Sequence, residues 1–237
     1  MTKQIHLAAH FPGVNNTTVW SDPAAGSHIE FDSFRQFAQI AERGKFDFLF
    51  LAEGLRLREQ NRLIYDLDVV GRPDTFTVLA ALAAVTEHVG LTGTINSTFN
   101  EPYEVARQFA SLDHLSGGRA AWNVVTSWDA FTGENFRRGG YLAQGDRYER
   151  AGAEYRSDAR IFTGTAIGLA DLLQEWQAAG LTGFRLRPGM LPHDLTRLTE
   201  ELVPELQRRG VFRARYEADT LRGLLGLGRP ANRYAAI

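Results

Sequence analysis

The sequence predicts an α/β fold of parallel, right-handed β-α units, either an open sheet or part of a (β/α)8 barrel. Three observations lead there. Short apolar runs alternate with helical patterns through residues 1–155, giving four β-α units in a row. The run FDFLFLA at 46–52 is almost wholly apolar, as a parallel strand buried on both faces must be. Residues 92–127 read strand, turn, helix, Gly-Gly turn, strand, and both strands end in polar side chains.

Each element follows from local chemistry. Residues 5–11 are the first apolar run and the first expected strand. Residues 11–27 form a polar loop that carries Trp20, a residue costly to leave in a loop without a partner. Phe31, Phe34, Phe37, Ala38 and Ala41 recur at helical spacing, and Gly44 suits the end of that helix. Strand 46–52 leads into a long charged loop, 53–72. Residues 73–87 open with Pro73-Asp74, a proline suited to a first helical turn. Strand 91–98, helix 101–115 with Pro102 near its start, and strand 120–126 follow. Residues 127–145 read as a Gly-rich loop and 146–155 as the start of a helix. Leu169, Leu172, Leu173 and Trp176 form one stripe of a helix over 166–179, closed by Gly180. Residues 183–187, GFRLR, alternate apolar and basic side chains and read as one strand. The last helix, 195–209, contains Pro204 as a kink or break, and the tail from Val211 is expected to wrap the surface. Five parallel strands result, where a closed barrel needs eight.

Composition narrows the function classes. A chain of 237 residues holds one large domain or two small ones, and 44% hydrophobic residues permit a substantial core. A formal net charge of -2 gives no electrostatic reason to expect nucleic acid. The Arg-rich stretches 56–62, 137–150 and 208–215 have acidic residues within or beside them and read as solvated faces. The absence of cysteine excludes disulfides, thiolate catalysis and Cys metal sites. His6, His28, His88, His114 and His193 lack metal-ligand spacing. No GxSxG elbow, P-loop or GxGxxG after a strand is present. The first residues lack a signal-peptide pattern and no apolar run is long enough for a bilayer, so a cytoplasmic location without membrane contact is expected.

The candidate site lies where the strands end, since ligands of parallel α/β folds bind at their carboxyl ends. Asn96, Ser97 and Thr98 end one strand; Asn123, Thr126 and Ser127 stand at the end of the next. Together they suggest a pocket that reads a polar small molecule. Asn123 lies inside a strand, where a buried amide needs a partner; a bound ring would serve, and so would backbone bracing. Ser97 could equally cap the next helix. Glu53 ends an all-apolar strand, as a site carboxylate or as an exposed loop charge. His10 and Phe11 end the first strand and Trp20 could wall the same pocket, with plain core packing as the alternative for both aromatics.

Several stretches carry a family resemblance: NNTTVWSDPAAG (15–26), FDFLFLAEGLRLRE (46–59), GRPDTFTVLAALAAVTE (71–87), STFNEPYEVARQFASLDHLSGGRAAWNVVTS (97–127) and FTGENFRRGG (131–140). They resemble the flavin-dependent monooxygenases of the nitrilotriacetate and dibenzothiophene-sulfone type, in the bacterial-luciferase-like superfamily. The likeness covers residues 1–155 and resumes in SDARIFTGT (157–165), VPELQRRGVFRARYE (203–217) and RPANRY (229–234). It implies a TIM-barrel (luciferase-like) fold, here a single shortened domain over 1–237 with about five strands. The half-barrel 1–155 would join a C-terminal remainder, 157–237, across an internal deletion of the fifth to seventh strands. The uncovered interior is then expected to be large and apolar, and the chain to self-associate as a homo-oligomer.

The resemblance also implies a function. Reduced FMN, supplied by a separate NAD(P)H-dependent flavin reductase, and O2 would oxidise a small organic substrate. A catalytically inactive homologue serving as a binding or scaffold domain is the alternative. By the same resemblance Glu53 and Ser97 contact the flavin, and Asn123, argued from its place inside a strand, would stand beside them. Gln144, where the family has a histidine, and Tyr148 hold its phosphate end. His10 and Phe11 stand where the family contacts substrate and ring, with Trp20 as a further wall of the same pocket. The family's second phosphate-binding loop falls in the missing stretch.

Overall fold

The structure, a computed structural model, describes residues 4–13, 18–126, 130–133, 135–136 and 160–228. Five strands, β1 (His6–His10), β2 (Phe48–Leu51), β3 (Gly90–Asn96), β4 (Ala120–Val125) and β5 (Gly183–Leu186), form one sheet. All pairs are parallel and the order is β4-β3-β2-β1-β5. The last strand thus lies beside the first, Phe184 opposite Leu7. That is the neighbour relation of first and last strands in a closed barrel, as the barrel implied by the family resemblance requires.

Helices cover one face. Leu7, Ala9, Leu49, Leu51 and Leu91 point there and join Phe34, Phe37, Leu79, Leu82, Leu173 and Leu206 in one buried cluster. Fully burying each such aliphatic side chain contributes about 1.5–3 kcal/mol. The helices are α1 (Phe31–Arg43), α2 (Thr75–Ala83), α3 (Pro102–Leu115), α4 (Ala130–Gly133) and α5 (Ala166–Ala178). Gly44 does follow α1, but with φ −73; Lys45, φ 59, takes the left-handed position instead. Gly44 is required for space, because a Cβ there would lie 2.6 Å from Thr199 Oγ1. Pro73 is not in the first turn of α2: Asp74 is the cap, its carboxylate accepting the Thr77 N–H at 2.8 Å. The helix start expected at 146–155 lies outside the described residues.

Pro204 does not break the last helix. Helical backbone runs from α6 (His193–Arg197) through a π turn (Leu198–Leu202) into α7 (Val203–Arg208). A proline has no N–H and clashes with the carbonyl four residues back; the wider π turn immediately before it relieves both demands.

Two sequence expectations are corrected. The tail from Val211 enters the interior before it runs over the surface: after Arg213 most described residues are exposed or half buried. The Ile5 N–H donates to the Val211 carbonyl at 2.8 Å, and Val211, Phe212 and Arg213 are buried. The short helix α8 (Leu221–Leu224) lies so close to β3 that a Cβ on Gly90 would come within 2.8 Å of Leu221. Nor is the inner face of the sheet large and apolar. Side chains alternate along a strand, and with the aliphatic set turned to the helices, the opposite face receives His6, His10, Thr92, Thr94, Asn96, Asn123 and Arg185 beside Ala8, Phe48 and Phe50.

At the amino ends of the strands, buried charges fix the sheet. Asp47, fully buried, accepts the Leu7 N–H at 2.9 Å, the Arg213 guanidinium at 2.7 Å, and lies 2.7 Å from His6 Nδ1. Arg119 donates to the carbonyls of Ser116, Val89, Ala83 and Thr86 and to the Thr86 hydroxyl. It ties the α2–β3 turn to the start of β4. The carboxyl ends hold a different set of polar groups, considered next. Among the described residues no helix is long and apolar enough to cross a membrane.

Candidate functional site

The rim at the carboxyl ends of β1, β2, β3 and β4 brings together most of the predicted residues. Asn96 closes β3 and is fully buried. Its side-chain oxygen accepts the N–H groups of Thr98 (2.6 Å) and Phe99 (3.3 Å), and its carbonyl accepts the Asn100 amide at 2.7 Å. This Asx-type turn redirects the chain toward α3. It also aims the Asn96 N–H at Glu53, whose carboxylate accepts it at 2.8 Å.

Glu53 stands two residues beyond β2, half buried. Burial raises its pKa to about 7; the nearby Asp74 charge adds to the rise and the Asn96 N–H opposes it. At neutral pH this carboxyl can therefore either donate or accept a proton. Perturbed carboxyls of this kind cluster at functional sites, although structural networks produce them too.

Asn123 projects from β4 onto the inner face, and its amide N–H donates to Thr94 Oγ1 at 3.0 Å. Ser97 is exposed. Its hydroxyl and its backbone N–H both donate to the Val125 carbonyl, at 3.0 and 2.8 Å, so it braces the end of β4 and does not cap a helix. Its oxygen keeps accepting capacity. Above this rim the loops converge: Phe99 stacks on Phe136 at 4.4 Å, and the Asn135 amide donates to the Leu55 carbonyl at 2.9 Å.

His10 is buried at the end of β1 on the inner face. Its Nδ1 accepts from Arg187 Nε at 3.2 Å, and its ring meets Phe50 edge-on. Burial first, then the Arg187, Arg185 and Arg72 charges, push its pKa down to about 2, so it is a neutral imidazole. Phe11 departs from the substrate-facing expectation. It stacks on Phe34 at 4.2 Å within the helix-side core, because the alternation that turns His10 inward turns Phe11 outward. It lines only a small cavity with Pro12, Gly13, His28 and Arg72, about 10 Å³ in volume, room for about one water. Trp20 is 40% exposed in a loop held to the β5 side of the rim by the Val19 N–H donating to the Gly189 carbonyl. It is not among the residues lining the cavity with Phe11. Gln144 and Tyr148 lie outside the described residues.

Asn96 is among the strand-end residues expected at the site; Thr94, Arg72 and Arg187 are not. Period-2 alternation would have grouped Thr92, Thr94 and Asn96 on one face, and GFRLR would have placed both arginines together. No periodic signal marks Arg72, which returns from the 53–72 loop.

Comparison with known proteins places this geometry in context. The model of the luciferase-like monooxygenases matches residues 11–181. N-acetyl-S-(2-succino)cysteine monooxygenase of Bacillus subtilis (strain 168) is 45% identical over 152 residues, 63% of this chain and 34% of that protein. Nitrilotriacetate monooxygenase component A of Aminobacter aminovorans is 45% identical over 142 residues, 56% of this chain and 31% of that protein. The chain thus spans about a third of the length of these relatives. Among solved structures, EDTA monooxygenase of Chelativorans sp. BNC1 superposes with a TM-score of 0.80, covering 95% of this chain and 99% of that one at 17% identity. At that identity the likeness speaks for the fold.

Proposed function

Since the chain belongs to the luciferase-like monooxygenase family, we propose that it is the oxygenating component of a two-component flavin system acting on a small organic substrate. Reduced FMN, delivered by an NAD(P)H-dependent flavin reductase, would supply the oxygen-activating chemistry. The observation that carries this reading is the polar row at the strand ends: Thr94, Asn96 and Asn123 on the inner face, with Glu53 and Ser97 on the rim beside them.

The row fits a flavin ring. Such a ring presents an N–H between carbonyl groups, so it needs acceptors and donors side by side. Asn123 has given one N–H to Thr94 and retains its carbonyl oxygen and a second N–H. Glu53, near half-protonation at neutral pH, can serve in either sense. Asn96 holds Glu53 in place through its backbone N–H. His10, neutral, takes no charge from the substrate side. Phe99 and Phe136 help exclude water from the rim. Gln144 and Tyr148 are assigned to the phosphate end by the family resemblance. An amide in place of a histidine cannot add charge there, so the phosphate is the weakly held end.

The test is a fluorescence titration of the purified protein with FMN and riboflavin. Binding of both, with only a slight preference for FMN, is expected. Asn123→Ala and Ser97→Ala should weaken both flavins, and Tyr148→Phe FMN alone. No flavin bound at about 1 mM, the weak end of ordinary enzyme affinities, would overturn the assignment and favour a non-catalytic binding domain.

A further inference from the structure

His10 ends β1 on the inner face, 5% exposed, and contacts from both neighbouring strands fix its ring. From β2, its register partner Phe50 meets it edge-on, 4.8 Å between ring centres. From the β5 side, Arg187 donates its Nε–H to His10 Nδ1 at 3.2 Å. The register explains the meeting. Leu186 lies opposite Ala9, so the next residue along each strand brings Arg187 level with His10. Arg185, two residues earlier on the same face, lies over the Phe50 ring at 4.6 Å and closes the other side of that ring.

That contact decides where the imidazole proton sits. A guanidinium has five donors and no acceptor, so the nitrogen it meets must offer a lone pair. A neutral imidazole then carries its single proton on the opposite nitrogen, Nε2. A second proton is disfavoured: the ring is buried, and the charges that act on it, those of Arg187, Arg185 and Arg72, are all positive. Among the described residues nothing accepts a hydrogen bond from Nε2; the contacts of the ring are Arg187 at Nδ1 and Phe50 at its edge. Buried donors are nearly always paired, and an unpaired one costs free energy until an acceptor reaches it.

We propose that Arg187 is a positioning residue that locks His10 as an uncharged Nε2–H donor on the inner face, and that this donor binds an acceptor oxygen of the ligand seated there. Arg187 acts through His10: it fixes which nitrogen donates, and Phe50 fixes the plane in which it points. The inference rests on the monooxygenase reading only in naming the flavin as one source of that oxygen. A flavin carbonyl and an oxygen of a small organic substrate carry the same acceptor chemistry, and the test separates the two.

Nitrogen-15 NMR of the histidine rings, with the His10 signals assigned by their loss in His10→Gln, reads the tautomer directly. His10 should be the Nε2–H form alone, without titrating between about pH 5 and 8. Arg187→Met, which removes donor and charge, should give a mixture of both tautomers, and Arg187→Lys, which keeps a donor, should restore the single form. Should Arg187→Met fail to fold, scalar coupling across the Arg187 Nε–H to His10 Nδ1 bond in the wild type tests the same contact. An Nδ1–H tautomer, a ring that protonates in that pH window, or a pure Nε2–H form in Arg187→Met would overturn the positioning role. The donor's ligand is read by titrating riboflavin and, separately, dimethyl sulfoxide, an uncharged acceptor without donors. A saturable shift of the Nε2–H signal with riboflavin assigns the donor to the cofactor, and a shift with dimethyl sulfoxide alone assigns it to the substrate side. In either case His10→Leu should weaken that probe about two- to tenfold. Riboflavin that binds without moving the signal, with dimethyl sulfoxide also silent, would overturn the donor's role and keep the monooxygenase reading. A shift with dimethyl sulfoxide in a protein that binds no riboflavin would keep the donor and overturn that reading.

Discussion

Asp47→Asn tests whether a buried charge cluster, and not only apolar packing, holds the start of β2 and the chain around Arg213 against the first strand. In the folded chain Asp47 is fully buried and the Arg213 side chain is 2% exposed. Arg213 Nε and Nη1 already have no hydrogen-bond partner. Removing the carboxylate charge leaves a guanidinium buried without compensation, which costs about 3–5 kcal/mol. The asparagine must also turn one N–H toward either the Leu7 N–H or Arg213, so one buried donor loses its acceptor, about 1–3 kcal/mol more. Against a total stability of about 5–15 kcal/mol for a domain, the variant should be close to unfolding. Urea denaturation followed by circular dichroism measures this, with an unchanged slope showing that the unfolded state is the same. The double variant Asp47→Asn/Arg213→Met should recover a large part of the loss, because it removes the stranded charge. A loss below about 1 kcal/mol, or strictly additive single variants, would refute the reasoning and leave the cluster solvent-screened or energetically idle.

Three further outcomes follow from the geometry. Burial favours protonated Glu53, so its stabilising contribution is full below its unfolded value near 4.5 and lost as pH rises through about 7. The difference in melting midpoint between the wild type and Glu53→Gln should therefore change across that window; a pH-independent difference would contradict the raised pKa. Arg119→Met leaves the carbonyls of Ala83, Thr86, Val89 and Ser116 short of a donor and should cost about 3 kcal/mol or more in the same urea assay. Thr165→Ala removes the hydroxyl that accepts the Gly168 N–H at 3.1 Å. It should cost about 1 kcal/mol and speed amide exchange only in the first turn of α5.

What was legible in the sequence was legible for a physical reason. Parallel strands buried on both sides are continuous apolar runs, so FDFLFLA and its neighbours marked the sheet without any long-range information. The helix stripe Phe31, Phe34, Phe37, Ala38 and Ala41 is a repeat of 3.6; all but Phe31, exposed at the helix start, are buried. The pairing of β5 with β1 came from the family resemblance, since no local pattern encodes which strands are neighbours. Other features depended on the same kind of long-range information and were missed. The tail from Val211 holds Gly, Pro and Asn later on, and its start is held by contacts far apart in sequence, Arg213 with Asp47 across 166 positions and Val211 with Ile5. The π turn ahead of Pro204 answers a clash that a proline signals but whose remedy it does not specify.

The site divides along the same line. Residues at strand ends announce themselves, since a polar side chain closing an apolar run has few structural uses; Glu53 and Asn123 were found so. Which face a strand residue occupies requires the register. Phe11 and His10, adjacent in sequence, lie on opposite sides of the sheet, one in the helix-side core and one on the rim. Residues supplied by loops leave no periodic trace, and Arg72 reaches Ala52 across 20 positions of irregular chain. The inner face looked like a hydrophobic liability when five strands were set against the eight of a barrel. Its actual composition inverts that expectation: imidazole, hydroxyl, amide and guanidinium groups line it, with few aliphatics. A surface of that kind offers hydrogen-bonding groups to a polar small molecule. The argument for a bound small molecule therefore rests on the chemistry of the face itself as well as on the family.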